Sequence, residues 1–198
     1  MDFKKHIVKA WALTLQFIVS LVLMTLVMSA VAVVTLGILA PVMMAGYMQS
    51  VLLMIREGRE PKIQDLFSEM KLFFPLLAFG FVSFIAVAIG FMLLVIPGFL
   101  VIMAVSFSCL YMLPLMTDKR LGLVEAIKES YAMAVRDNIP EHIVVAILFL
   151  AISGIGSSFL IGFLFTQPLA TVFLLSVYDE RTNSTSVTGP PPPMNPVY

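Results

Sequence analysis

The sequence predicts an all-α fold: a polytopic membrane bundle of six transmembrane helices in three hairpins, joined by two cytoplasmic amphipathic linker helices. Three observations predict it. Hydrophobic residues make up 60% of the chain and charged residues 12%, against ~45–50% and ~25% in soluble domains. The charges fall in four islands, 2–9, 56–71, 118–141 and 179–181, separated by the uncharged stretches 10–55, 72–117 and 142–178. All twelve lysines and arginines lie within those islands. A mean hydropathy of +1.02 points the same way.

Length turns each stretch into a hairpin. Two of them run 46 residues and the third 37. As one helix, 46 residues reach ~69 Å, more than twice a ~30 Å hydrocarbon core. The chain must therefore turn back. Turn signals stand at Gly37 and Pro41, at Ile96-Pro97-Gly98 and at Thr166-Gln167-Pro168. Proline suits the first turn of a returning helix, where its missing N–H costs little. The expected spans are 10–36, 41–56, 74–96, 98–117, 142–166 and 168–180. For the third hairpin, the run Ser153-Gly154-Ile155-Gly156-Ser157-Ser158 is an alternative turn, which leaves Pro168 as a kink inside a longer last span.

The three far-side turns carry no lysine or arginine, so the islands and both termini are assigned to the cytoplasm. Lys4, Lys5 and Lys9 with Ala30-Val31-Ala32 imitate a signal peptide. The apolar run is too long for one and continues through 33–39, which favours an uncleaved first span.

Between hairpins lie the linkers. In 62–74, Ile63, Leu66, Phe67, Met70, Phe73 and Phe74 fall on one helical stripe, opposite Gln64, Asp65, Ser68, Glu69 and Lys71. In 123–138 the stripe is Val124, Ile127, Tyr131 and Val135, with Glu125, Lys128, Glu129 and Arg136 on the polar side. Such helices lie along the cytoplasmic interface or pack beneath the bundle. Turn-proline, returning helix, charged break and amphipathic helix occur twice, and a third copy begins at Pro168, a threefold pseudo-repeat of pattern. Beyond it, 182–198 is rich in Ser, Thr and Pro and reads as a disordered cytoplasmic tail. The sequon Asn183-Ser184-Thr185, Asn195-Pro196-Val197-Tyr198 and a PxxP at 193–196 are low-information matches within it.

Chemistry inside the bilayer has few candidates. No Asp, Glu, Lys or Arg falls inside the uncharged stretches, and His6 and His142 sit at boundaries. Proton relays, charged selectivity rings and intramembrane hydrolases need such groups, so no catalytic, metal or cofactor residues are assigned. The lone Cys109 cannot form an internal disulfide. His142 beside Glu141 reads as an interfacial pair at a helix start. A lipid-active site around Tyr131, Arg136 and His142 is disfavoured. Zero net charge gives no reason to expect nucleic acid. Gln16 and Gln49 are expected at equal depth in adjacent helices, as an interhelical polar contact or a solute site. Gly154, Ser158 and Gly162 form a candidate packing stripe, and Arg56, Arg59, Lys119, Arg120 and Arg136 a candidate cytoplasmic interface.

Several short motifs occur in a particular order: Pro41 with Gly46-Tyr47 and Arg56-Glu57-Gly58; Asp65-Leu66-Phe67; Ile96-Pro97-Gly98; Glu125-Ala126-Ile127 with Ser130; and Pro168 with Tyr178. In this order the chain resembles a broad group of prokaryotic six-helix integral membrane proteins of unknown function. That group is related to the membrane domain attached to some glycerophosphodiester phosphodiesterases. The resemblance covers nearly all of the chain but the tail. It implies a plasma membrane location, the inner membrane in a bacterium, and supplies no catalytic residues, since the phosphodiesterase chemistry belongs to a separate soluble domain. The expected function is a non-enzymatic membrane scaffold or accessory protein acting through its cytoplasmic face, with the bilayer, a protein partner or a second copy as its contacts. The alternative is a carrier, channel or scramblase for a neutral or lipid-like solute.

Overall fold

The computed structural model describes residues 3–136, 139–157 and 160–187, and these are helical with short connections and no strand. The all-α class follows directly. The helices are α1 (Phe3–Gln16), α2 (Ile18–Val34), α3 (Ala40–Glu57), α4 (Phe73–Leu93), α5 (Val95–Ser108), α6 (Met112–Thr117), α7 (Leu123–Arg136), α8 (Ile139–Ser157) and α9 (Leu160–Val187).

The expected first span, 10–36, is not one helix. The backbone leaves helical values at Phe17 and the axes of α1 and α2 diverge by 85°. Each arm is tied down separately: α1 packs on α9 through His6, Ala10 and Thr14, and Ser20 at the start of α2 donates to Glu60 at 2.6 Å. The turn to α3 falls where expected, with Leu36 and Gly37 in the left-handed region and Pro41 in the first turn of α3.

The first linker is not an α-helix. It forms two 3₁₀ turns, Ile63–Phe67 and Met70–Leu72, because Asp65 is pulled in several directions. Its carboxylate accepts from the Lys62 backbone, from Ser50 at 2.6 Å and from Arg59. Residues 65 and 66 lie against the bare backbone of Gly46, where a Cβ would stand 2.6 Å from the Leu66 carbonyl oxygen. Glu69, expected on the polar side, is 2% exposed. Arg120 holds it at 2.9 Å.

Helices α4 and α5 form a hairpin joined at the single extended residue Leu94, with Pro97 in the first turn of α5. The two backbones come together where Gly90 meets Gly98; a Cβ on Gly90 would lie 2.9 Å from the Gly98 Cα. Few side chains of this hairpin are buried, and Phe81, Phe84, Met92 and Leu100 are all exposed. Among the described residues, one helical run, Ile63–Leu93, is long and apolar enough to cross a membrane; the pair α1 and α2 passes the same test only if counted together.

The expected fourth span breaks at Cys109, Leu110 and Tyr111 before resuming as α6. Pro114, in the first turn of α6, cannot donate to the Leu110 carbonyl. Helix α8 runs through Ser157 and α9 begins at Leu160, so residues 153–157 of the alternative turn are helical, Ser158 lies outside the described residues, and Pro168, the expected turn, lies inside α9. That helix runs on to Val187, so 182–187 are helical rather than disordered. Extending an anchored helix costs far less than nucleating one, and Arg181 beneath it is buried. The remainder of the tail, 188–198, lies outside the described residues.

The core gathers around the three returning helices. Most of α3 from Val42 to Met54, nearly all of α6 and the part of α9 from Ala170 to Tyr178 are buried. Tyr47, Tyr111 and Tyr178 are the largest fully buried side chains. In α7 the buried face is Ala126, Ser130, Met133 and Ala134, while the predicted stripe residues Val124, Tyr131 and Val135 are exposed. Small residues let α7 sit close on α6, and its apolar stripe looks outward.

Candidate functional site

The returning helices end in charge, and the structure brings those ends together. Helix α3 stops because Gly58 takes a left-handed conformation, φ 67°, which leaves Arg56 in the last turn. Asp118 follows α6, and Asp179 lies on α9. The Arg56 guanidinium donates Nη1 to Asp118 Oδ1 at 2.6 Å, Nη2 to Asp118 Oδ2 at 3.0 Å and Nε to Asp179 Oδ1 at 2.6 Å. One charged residue from each hairpin unit thus meets in a triad. Tyr178 adds its hydroxyl to Asp118 Oδ2 at 3.1 Å.

Around this triad the other islands close in. His6 on α1 faces Ser176 at 2.8 Å through Nδ1 and Glu180 at 2.9 Å through Nε2. Arg181 is buried with its guanidinium carbon 5.6 Å above the Tyr111 ring. Glu69 joins the second island to the third through Arg120, and Lys71 stands 3.4 Å from the same carboxylate. Arg56 and Arg120 thus join the second, third and fourth charged islands by ion pairs, and His6 brings the first against Glu180.

A second polar site mends the break between α5 and α6. In an unbroken helix the Tyr111 N–H would donate to the Phe107 carbonyl. Here Tyr111 N–H donates to Ser130 Oγ on α7 at 3.2 Å, and His142 Nε2 on α8 donates to the Phe107 carbonyl at 3.0 Å. Two inserted side chains replace one lost backbone bond, as buried irregular backbone requires. His142, near the start of α8, is fully buried within the bundle, with its ring edge-on to Phe107 at 4.5 Å and Tyr111 at 5.5 Å.

The sequence-predicted residues divide. Arg56, Arg59 and Arg120 are brought into ion pairs, Lys119 is exposed, and Arg136 ends α7. Gln16 is exposed at the end of α1, and the Gln49 amide oxygen is buried with no hydrogen-bond partner among the described residues, so Gln16 does not donate to it. The bend at Phe17 takes Gln16 out of the expected span. A Cβ on Gly154 would meet nothing within 4 Å among the described residues; Ser158 lies outside them, and Gly162 is half-buried. Sequence reasoning missed Asp118, Asp179, Tyr178 and His6. The available signal was position: Arg56, Asp118 and Asp179 each mark the charged end of a returning helix, 62 and then 61 residues apart.

Chemically the triad is saturated. Each carboxylate is paired, and no group of three or more His, Cys, Asp or Glu suited to a metal ion occurs among the described residues. Two apolar cavities of about 290 and 300 Å³ flank the gap between α5 and α8 and share Ser106, Ala146 and Leu150. Compared with known protein families, curated proteins and solved structures, the chain matches none.

Proposed function

We propose that the chain is an integral membrane protein of six crossings in three hairpins, acting as a non-enzymatic scaffold or accessory subunit through its cytoplasmic face. The observation that carries this reading is the joining of three charged islands by ion pairs, with the first island held to them through His6, opposite helices whose outer faces are apolar. Charge spent on pairing holds the bundle together rather than serving turnover. The exposed α4–α5 hairpin suits hydrocarbon or a partner's helix, since apolar surface of that extent is not left in water. The resemblance to prokaryotic six-helix membrane proteins fits the reading and suggests a bacterial inner membrane. Its motif residues pack as units: Gly46 beneath Leu66, Ser130 with Tyr111, Tyr178 with Asp118.

Native mass spectrometry of the chain purified in mild detergent tests the reading. A stoichiometric partner or a defined homo-oligomer supports it. A monomer with no retained partner refutes it.

The cavities beside α5 and α8 favour one second reading, passage of a lipid-like solute. Reconstituted vesicles showing lipid scrambling no faster than empty ones exclude that alternative.

A further inference from the structure

We propose that α1 is a membrane-surface helix that binds anionic phospholipid, with headgroups on Lys4 and Lys9 and an acyl chain in the apolar cavity beneath Trp11. The inference rests on the membrane reading above and adds a ligand to it. Three features of α1 lead there. The helix does not continue α2 but lies 85° from it, so when α2 crosses the bilayer α1 runs along its surface. Its ends sit at the charged end of the bundle: His6 pairs with Glu180, and Ser20, just past the bend, pairs with Glu60.

Its residues sort onto three faces. His6, Ala10 and Thr14, four apart, are buried against α9. One residue on, Ile7, Trp11 and Leu15 form an apolar stripe that is 41%, 56% and 52% exposed. Lys4 is exposed in line with Trp11 and Leu15, at the N-terminal end of the stripe, and Lys9 is exposed on the side away from it. An apolar stripe that stays uncovered beside lysines is the pattern of a helix seated at a headgroup boundary, where lysine stems reach up while the stripe sinks. Trp11 favours the same depth.

Beneath the stripe the structure holds a space of about 200 Å³ with no polar lining, bounded by Ile7, Trp11, Ile152, Leu169 and Phe173. Apolar cavities of roughly 150 Å³ take up hydrocarbon rather than water. Cation above and dry slot below fit one ligand: a lipid with an anionic head.

Trp11 is the chain's single tryptophan and reports on its own site. The full chain is reconstituted in phosphatidylcholine vesicles containing brominated phosphatidylglycerol or brominated phosphatidylcholine, and vesicle flotation is checked first. Half-quenching of Trp11 is expected at a mole fraction of phosphatidylglycerol about fivefold lower than of phosphatidylcholine, the preference that surface lysines confer. The K4Q/K9Q double variant should float and melt like the wild type yet show equal quenching by both lipids. Equal quenching in the wild type overturns the proposal, as does a Trp11 reached by aqueous acrylamide and untouched by either brominated lipid. A chain that fails to float with vesicles removes the membrane reading and this inference together.

Discussion

Arg56 grips Asp118 with both terminal nitrogens, at 2.6 and 3.0 Å, across 62 residues of sequence, and its third nitrogen is taken by Asp179. The planar fork of arginine makes this three-point contact; an ammonium cannot. The three side chains are 31%, 15% and 16% exposed, so solvent screens the triad only in part.

The two kinds of deletion are unequal. Arg56→Gln leaves two carboxylates facing each other and should cost roughly 2–4 kcal/mol, a buried-pair loss reduced for partial exposure. Asp179→Asn leaves the Arg56–Asp118 fork intact and should cost about 1 kcal/mol. Melting curves of both variants in mild detergent give the order directly; equal losses contradict a triad centred on Arg56.

Gly46 is a contact for backbone, not a hinge. Its φ is helical, and the Asp65 and Leu66 carbonyls occupy the place of a side chain. Gly46→Ala must push the first linker away and should destabilise by about 1–3 kcal/mol despite alanine's better helix propensity. Gly80, which meets nothing within 4 Å, is the control: Gly80→Ala should be neutral or stabilising in the same melt.

The mended break between α5 and α6 predicts a local signature. Ser130→Ala strands the Tyr111 N–H in a buried place, costing roughly 1–3 kcal/mol. Hydrogen exchange at the Tyr111 amide should then accelerate while amides in α3 stay protected. His142→Phe keeps the ring and removes the donor to Phe107. Its expected cost is smaller, about 1 kcal/mol, because an under-satisfied carbonyl is tolerated better than a stranded N–H. Unchanged exchange at Tyr111 in Ser130→Ala counts against this account.

Topology is testable with single cysteines in a Cys109→Ala background. Cysteines at Ile38 and Leu94 should be labelled only from outside the cell, and those at Lys62 and Lys119 only from the cytoplasm. Gln16→Cys discriminates most sharply. On the bent α1–α2 pair it is labelled from the cytoplasm, whereas a straight span over 10–36 shields it within the bilayer.

The all-helical class, the charged islands and the turn prolines Pro41 and Pro97 were legible because composition and periodicity are local properties. The bend at Phe17 was not. No proline or glycine marks it, and the apolar run passes through unchanged; the arms are fixed by partners on α9 and at Glu60. In α7 the periodic stripe was legible, and which way it faces was left open between the interface and the underside of the bundle. Periodicity finds an apolar face without saying what that face meets, and Ala126, Ser130 and Ala134 supply the contact instead. Pro168 drew the third turn toward a position that α9 carries as an interior residue, and the glycines and serines of the alternative run are helical through Ser157. His142 was placed by its neighbour Glu141, yet its partner is a carbonyl 35 residues away. Pairings over such separations, including the triad, leave no pattern in a window of sequence.

The triad also sets an order of assembly. Its members are synthesised in sequence, Arg56 first, Asp118 next and Asp179 sixty-one residues later. At ~5–20 residues per second that last interval is roughly 3–12 s. Until α9 is made, Arg56 has Asp118 but not Asp179, and the faces of α3 and α8 that α9 covers in the finished fold have nothing to cover them. Helix α9 is thus the keystone of the triad: it brings Asp179 to Arg56 and closes over α3 and α8 in a single step.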